Sequence, residues 1–187
     1  MAERSRRVSP GVLRRAKKIR LLLMDVDGTL TDGSVCLIAR MSDGALSELK
    51  VFDAHDGAGL TLAHIMGIKT GLITGRNSAA TAQRAKEMKM DYVYQGRAKK
   101  VDAYEECKKL SGATDEETAY IGDDLPDLHL FERAGLAVAT ANAVPELKKV
   151  AHYVTRAEGG HGAAREVVEL ILRAQGRWEE AIPKALA

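Results

Sequence analysis

At 187 residues, with 45% hydrophobic and 29% charged residues, the chain has the length and composition of one globular domain with a sizeable core. Its formal net charge of +2 is too small to argue for a nucleic-acid partner. No apolar run is long enough to cross a bilayer, no signal-peptide apolar region is read at the N-terminus, and the two cysteines lack metal or redox spacing. A cytoplasmic protein is expected.

In chain order, residues 1–18 form a basic lead-in containing Arg4, Arg6, Arg7, Arg14, Arg15, Lys17 and Lys18. It carries no aromatic residue for base stacking, so a solvated segment is the plain reading. Ser9-Pro10 supplies a cap and a first-turn proline for a short helix. Residues 19–24 then form an apolar run suited to a strand buried on both faces. Residues 34–38 and 46–52 flank Ser42-Asp43-Gly44, which predicts a β-hairpin inserted at 33–52.

Further strands are predicted at 69–73, 92–94, 118–121, 136–139 and 152–154. Helices are predicted at 59–66, 78–90, 100–110, 125–134, 144–150 and 163–174, and residues 175–187 form a tail. Strand–helix alternation implies a Rossmann-like α/β fold, a mostly parallel sheet with helices on both faces. The hairpin is its one interruption.

Ligands of such sheets bind beyond the carboxyl ends of the strands. There the sequence places Asp25 and Asp27, Thr74 with Gly75 and Arg76, Lys100, and Asp123 with Asp124. Converging carboxylates need a cation. Oxygen ligands without nearby His or Cys favour Mg²⁺, which usually also binds substrate phosphate. Asp25 then suits nucleophilic attack on phosphorus, and Asp27 suits proton transfer. Lys100 and Thr74 suit the remaining phosphate oxygens. No GxxxxGK[ST] loop is present, which argues against kinase-like transfer, and His55-Asp56 lacks the partners of a metal-dependent HD site.

The set Asp25-Val26-Asp27-Gly28-Thr29, Thr74, Lys100 and Gly122-Asp123-Asp124 resembles the four motifs of the haloacid dehalogenase superfamily. The stretches KVFDAHDGAGL, GLITGR, YQGRAKK, YIGDDLPDL, YVTRAEGGHGAAREVVELIL and AQGRWEEA resemble its cap-less 3-deoxy-D-manno-octulosonate 8-phosphate (KDO 8-phosphate) phosphatases, over residues 19–180. That resemblance implies an Mg²⁺-dependent phosphatase of lipopolysaccharide precursor synthesis. It makes Asp25 nucleophile and metal ligand, Asp27 acid/base and ligand through its carbonyl, and Asp123 the third ligand. Asp124 is expected to support them, and Asp127 to be structural.

By the same resemblance, Asp27, Asp53, Ala54, His55, Asp56, Gly57, Arg76, Arg84 and Lys100 bind substrate. Of these, Arg76 best suits the substrate carboxylate, because its planar fork matches one. His55 and Thr61 stand where the family usually has arginine. A homotetramer is implied too, for an isolated hairpin is marginal in water and Val35, Leu37, Leu49 and Val51 would be bare. The partner is a small sugar-acid phosphate, with no nucleic acid and no membrane. Rival readings are a phosphatase of nine-carbon sugar-acid 9-phosphates and a non-catalytic oligomerisation module. Gly159–Gly162 and the tail are expected to be mobile and to close over a site.

Overall fold

The computed structural model describes residues 8–97 and 99–185. Arg4, Arg6 and Arg7 of the basic lead-in, and the last residues of the tail, lie outside the described residues. Six strands form one parallel sheet: β1 (Leu21–Met24), β4 (Lys69–Ile73), β5 (Tyr92–Tyr94), β6 (Thr118–Gly122), β7 (Leu136–Ala139) and β8 (Tyr153–Val154), in the order β5-β4-β1-β6-β7-β8. The chain starts in the middle of the sheet and works outward to each edge. Strand β1 thereby sits between β4 and β6, with Met24 beside both Leu72 and Ile121.

The all-apolar β1 reflects this central place. Leu22 and Met24 enter the core on one face, and Leu21 and Leu23 enter the core on the other. Each of the four is fully buried, and such burial contributes roughly 1.5–3 kcal/mol per leucine. The first face is covered by α1 (Pro10–Ala16), α2 (Ala54–Ile65), α3 (Ala79–Glu87), α7 (Ala163–Ala174) and α8 (Trp178–Lys184). The second is covered by α4 (Lys100–Ser111), α5 (Leu128–Phe131) and α6 (Pro145–Val150). Ser9 caps α1 as its sequence suggests, accepting from Val12 N at 3.3 Å. No helix among the described residues is long and apolar enough to cross a membrane.

The hairpin is present as β2 (Cys36–Ala39) and β3 (Leu46–Leu49), antiparallel and apart from the main sheet. Asp43 makes the turn that its sequence announces, accepting from Ala45 N at 3.0 Å. Val35, Leu37, Ile38, Leu46, Leu49 and Val51 are all exposed, at 48–70%.

Among the predicted elements whose bounds differ, three have a local physical cause. The strand expected at 19–24 starts at Leu21, because Ile19 N bonds back to Ala16 O and still belongs to the end of α1. The helix expected at 59–66 starts five residues earlier, since Asp53 caps it through His55 N at 2.6 Å. The helix expected at 125–134 begins as a tight three-residue turn (Leu125–Asp127). There Asp124 caps Leu125 N, and the Asp127 side chain reaches back to Asp123 N.

The two segments expected to be mobile without substrate both make contacts with the rest of the domain. Gly159 N donates to Asn142 Oδ1 at 2.6 Å and Gly160 N donates to Thr29 O at 3.0 Å. The tail forms α8, where Arg177 donates to Met66 O at 2.8 Å and Trp178 packs on the core beneath Arg173.

Candidate active site

Four strand ends supply the site. Beyond β1 the backbone continues through Asp25, whose N–H bonds to Ile121 O, and then turns sharply at Gly28, with φ +90°. A side chain at Gly28 would collide with Asp123: its Cβ would lie 2.0 Å from Asp123 Oδ2. Glycine is therefore what lets the loops after β1 and β6 meet. Thr29 Oγ1 then donates to Asp123 Oδ1 at 3.1 Å, and Asn142 Nδ2 and Thr140 Oγ1 donate to Gly28 O at 2.9 and 3.5 Å. The Gly159 amide closes this arrangement from outside. A Cβ there would come within 1.8 Å of Gly28 O.

An open cleft of about 360 Å³ lies over these ends, lined by Asp25, Asp27, Thr74, Gly75, Arg76, Arg97, Lys100, Asp123, Asp124 and Pro126. On its floor, Lys100 Nζ lies 3.0 Å from Asp25 Oδ1 and 2.7 Å from Asp127 Oδ1, with its side chain only 5% exposed. Burial opposes its charge, but the Asp25 and Asp127 carboxylates outweigh burial and hold the Lys100 ammonium above its ordinary value. Lys100 is a fixed cation. Thr74 is buried beside it, its hydroxyl oxygen accepting from Arg76 N at 3.3 Å.

The carboxylates on this floor are too crowded for the cations they have. One oxygen each of Asp25, Asp123 and Asp127 lies within 4.8 Å of the others. Burial, opposed by Lys100 and reinforced by Asp127, raises the Asp25 carboxyl to about 6. Burial, with the charges of Asp25 and Asp127, raises Asp123 to about 7. Despite the nearby lysine, Asp25 Oδ1 is buried with no aligned hydrogen-bond donor among the described residues. An all-oxygen cluster with an unmet acceptor and charge-starved acids fits a hard divalent cation. Such an ion would favour the ionised form of both acids and so offset the rise.

Asp127 does more than the plain structural role expected of it. It is fully buried and accepts from Lys100 Nζ, from the Tyr120 hydroxyl at 2.8 Å and from Asp123 N at 3.1 Å. Gly122 makes room, since a Cβ there would meet Asp127 Oδ2 at 2.4 Å. One side chain thus aims both Lys100 and the Asp123 backbone. Burial also pushes the Tyr120 hydroxyl well above its usual range, so it remains a donor to Asp127. Asp124 is exposed on the cleft wall and caps the following turn through Leu125 N at 2.7 Å.

The hairpin returns its last charged residues to the cleft, which its strand pattern does not reveal. Lys50 Nζ pairs with the Asp27 carboxylate, its side chain only 2% exposed. Glu48 pairs with Arg76, whose Nε also lies 3.8 Å from Asp27 Oδ2. Burial would raise the Glu48 carboxyl, but hydrogen bonding to Arg76 and the charge of Lys50 hold it below its usual value. Arg76, which the sequence offers to a substrate carboxylate, is here engaged by a carboxylate of its own chain.

Several expected substrate residues lie outside the cleft lining. Asp56 is buried and caps α7, accepting from Arg165 N at 2.8 Å and Gly162 N at 3.2 Å. Asp53 caps α2, and Ala54 and His55 are exposed beside it. Gly57 packs under Arg84, whose Nη2 would lie 2.2 Å from a Cβ there; Arg84 also donates to Asp53 O and pairs with Glu87. These contacts tie α3 to α2. Thr61 Oγ1 bonds to Gly57 O within α2 and lines a separate apolar groove with Trp178.

Comparison with known proteins decides the family. Residues 77–167 match the model of haloacid dehalogenase-like hydrolases. The chain is 42% identical over 174 residues to the 3-deoxy-D-manno-octulosonate 8-phosphate phosphatase of Salmonella typhimurium, covering 93% of this chain and 90% of that protein. The chain belongs to the KDO 8-phosphate phosphatase family. Two members of known structure share the fold over most of the chain. The Yersinia pestis phosphatase superposes with a TM-score of 0.87 at 42% identity, over 92% of this chain and 90% of that one. The Moraxella catarrhalis phosphatase, solved in complex with magnesium ion, phosphate ion and KDO, gives 0.86 at 40% identity, over 92% and 97%.

Proposed function

We propose that this chain is a magnesium-dependent phosphomonoesterase that hydrolyses KDO 8-phosphate to KDO and phosphate, through an aspartyl-phosphate on Asp25. The observation that carries this reading is the Asp25 carboxylate. It is held on the cleft floor between the fixed cation Lys100 and the acid Asp123, at the carboxyl end of the central strand. The relatives' names and the magnesium, phosphate and KDO bound by the Moraxella catarrhalis enzyme support the substrate and metal.

In this reading an Asp25 oxygen attacks phosphorus as the bond from phosphorus to the sugar oxygen breaks. Asp27 gives that oxygen its proton. Water then attacks the phosphoryl group and returns a proton to Asp27, and the bond from phosphorus to Asp25 breaks to free the carboxylate. Asp25, Asp123 and the Asp27 carbonyl hold the magnesium ion, which supplies charge neutralisation of the phosphate oxygens. Lys100 and Thr74 would bind the same phosphate group, and Lys50 fixes the side chain of Asp27. The test is phosphate release from a panel of sugar-acid phosphates, with Mg²⁺ and with excess chelator. KDO 8-phosphate turned over only with Mg²⁺ supports the reading. Preference for a nine-carbon 9-phosphate moves the substrate assignment, and inactivity throughout points to a non-catalytic module.

The assembly we propose is a homotetramer in the cytoplasm. A two-stranded hairpin alone is marginal, and here both of its strands show apolar side chains to solvent. Four hairpins closing into a barrel would hide those side chains and pair the strand edges. Sedimentation is expected to give four times the chain mass, and Leu37→Asp is expected to lower it. A fully active monomer would remove the tetramer from the proposal. Free Cys36 and Cys107, one exposed and one buried, agree with a reducing compartment.

A further inference from the structure

Among the described residues, the cationic side chains that line the cleft directly are Arg76, Arg97 and Lys100, with Lys50 paired to Asp27 at its edge. Two of them are already matched. Lys100 sits between Asp25 and Asp127, and Arg76 pairs with Glu48 while approaching Asp27. Arg97 is different. Its guanidinium forms no ion pair with a carboxylate among the described residues, and it lies over the Tyr94 ring, 5.8 Å from centroid to guanidinium carbon.

The backbone beneath Arg97 is nonetheless well fixed. Its N–H donates to Thr74 O at 2.9 Å, and Gly96 N donates to Arg76 O at 3.2 Å. Gly96 takes φ +68° to turn the chain after β5, and a Cβ there would meet Asn77 Nδ2 at 2.8 Å. The loop after β5 is thus laced to the loop after β4 and presents Arg97 at the exposed rim. Lys100 lies buried on the floor.

We propose that Arg97 holds the carboxylate of the substrate, the end remote from the phosphate, and so sets a preference for acidic over neutral sugar phosphates. The inference rests on the phosphatase reading above and deepens it. Phosphate belongs on the floor, where Asp25, Lys100 and Thr74 meet. A substrate reaching from there to the rim brings its other end to a guanidinium that no carboxylate among the described residues neutralises. The planar fork of arginine takes a carboxylate with two parallel hydrogen bonds, and the Tyr94 face steadies the cation without neutralising it. Arg76 would first have to release Glu48. Among the described residues Arg97 has no carboxylate to release.

The test compares wild type, Arg97→Gln and Arg97→Lys on KDO 8-phosphate and on para-nitrophenyl phosphate, which lacks a carboxylate. Binding of free KDO is measured by calorimetry alongside. Arg97→Gln is expected to raise KM for KDO 8-phosphate about tenfold with kcat little changed, as lost uniform binding does. It should weaken KDO binding in proportion and leave para-nitrophenyl phosphate kinetics unaltered, with Arg97→Lys between. Equal losses on both substrates would assign Arg97 to the phosphate or the fold, and unchanged KM and KDO affinity would remove it from recognition; either overturns the proposal. Wild-type enzyme that cleaves para-nitrophenyl phosphate but neither binds KDO nor cleaves its phosphate ester would defeat the substrate reading itself, and this inference with it.

Discussion

Asp25→Asn is expected to abolish turnover while leaving a folded protein. The substitution keeps shape and removes the attacking oxygen's charge. Enzymatic enhancement of phosphate-monoester hydrolysis reaches about 10²¹-fold, so loss of the nucleophile leaves almost nothing measurable. The fold should not suffer. Burial lifts the folded Asp25 carboxyl to about 6, above its ordinary 3.8. An acid raised on folding favours the native state at low pH, and that contribution is lost as pH rises from the unfolded value through the folded one. At pH 8, without metal, the wild-type site therefore holds an ionised group that it disfavours, and Asn relieves it. The metal-free variant should melt at or above the wild-type temperature at pH 8, with the gap closing towards pH 4. Phosphate release and thermal melts check the two halves. Retention of even a tenth of wild-type activity would mean that Asp25 is not the nucleophile.

Asp127→Ala should be the most disruptive change behind the cleft. It removes the acceptor of four donors: the Tyr120 hydroxyl, the Asp123 and Asp124 amides, and the Lys100 ammonium, which is left with Asp25 alone. Removing one partner of a buried ion pair costs about 3–5 kcal/mol. Relief of repulsion on Asp25 and Asp123 offsets part of that, so about 3 kcal/mol is expected from urea unfolding. Activity should fall at least a hundredfold, because Lys100 and the Asp123 loop lose their common anchor. Asp127→Asn, which keeps an acceptor for Tyr120, should recover part of the stability but little of the activity. Wild-type kcat/KM in Asp127→Ala would show that Lys100 keeps its place by other means.

Much of this architecture was legible in the residues, for physical reasons that differ from element to element. Strand β4 and helix α7 lie where their patterns put them, because an apolar run between helices and a wide apolar stripe each have one economical packing. Asp25, Thr74, Lys100 and Asp123 share one cleft because parallel strands end on the same side. Asp127 was underread. Its spacing from Asp123 looks like ordinary helix-turn chemistry, and only the buried position of Lys100 gives it a second task. Glu48 and Lys50 were invisible, since alternation in a hairpin tells which residues share a face but not what that face leans on. Arg97 lies in a loop, where no periodicity marks a direction. Asp56 and Arg84 are placed with the substrate by resemblance alone; their contacts within the chain join helices.

The path of the chain through the sheet has a consequence for how activity arises in time. Lys100 reaches back to Asp25 across the parallel crossovers, and Thr29 on the first loop needs Asp123, which arrives 94 residues later. Gly159, later still, clamps the loop on which Asp25 and Asp27 depend. No short fragment holds even a rudimentary site. Contacts so distant along the chain form slowly, because each closes a long loop before any stabilisation is returned. A ribosome must release nearly the whole polypeptide before the first phosphate can be cleaved. A chain halted before β8 lacks the Gly159 clamp on the Gly28 loop and is expected to release little phosphate, however well its earlier strands have paired.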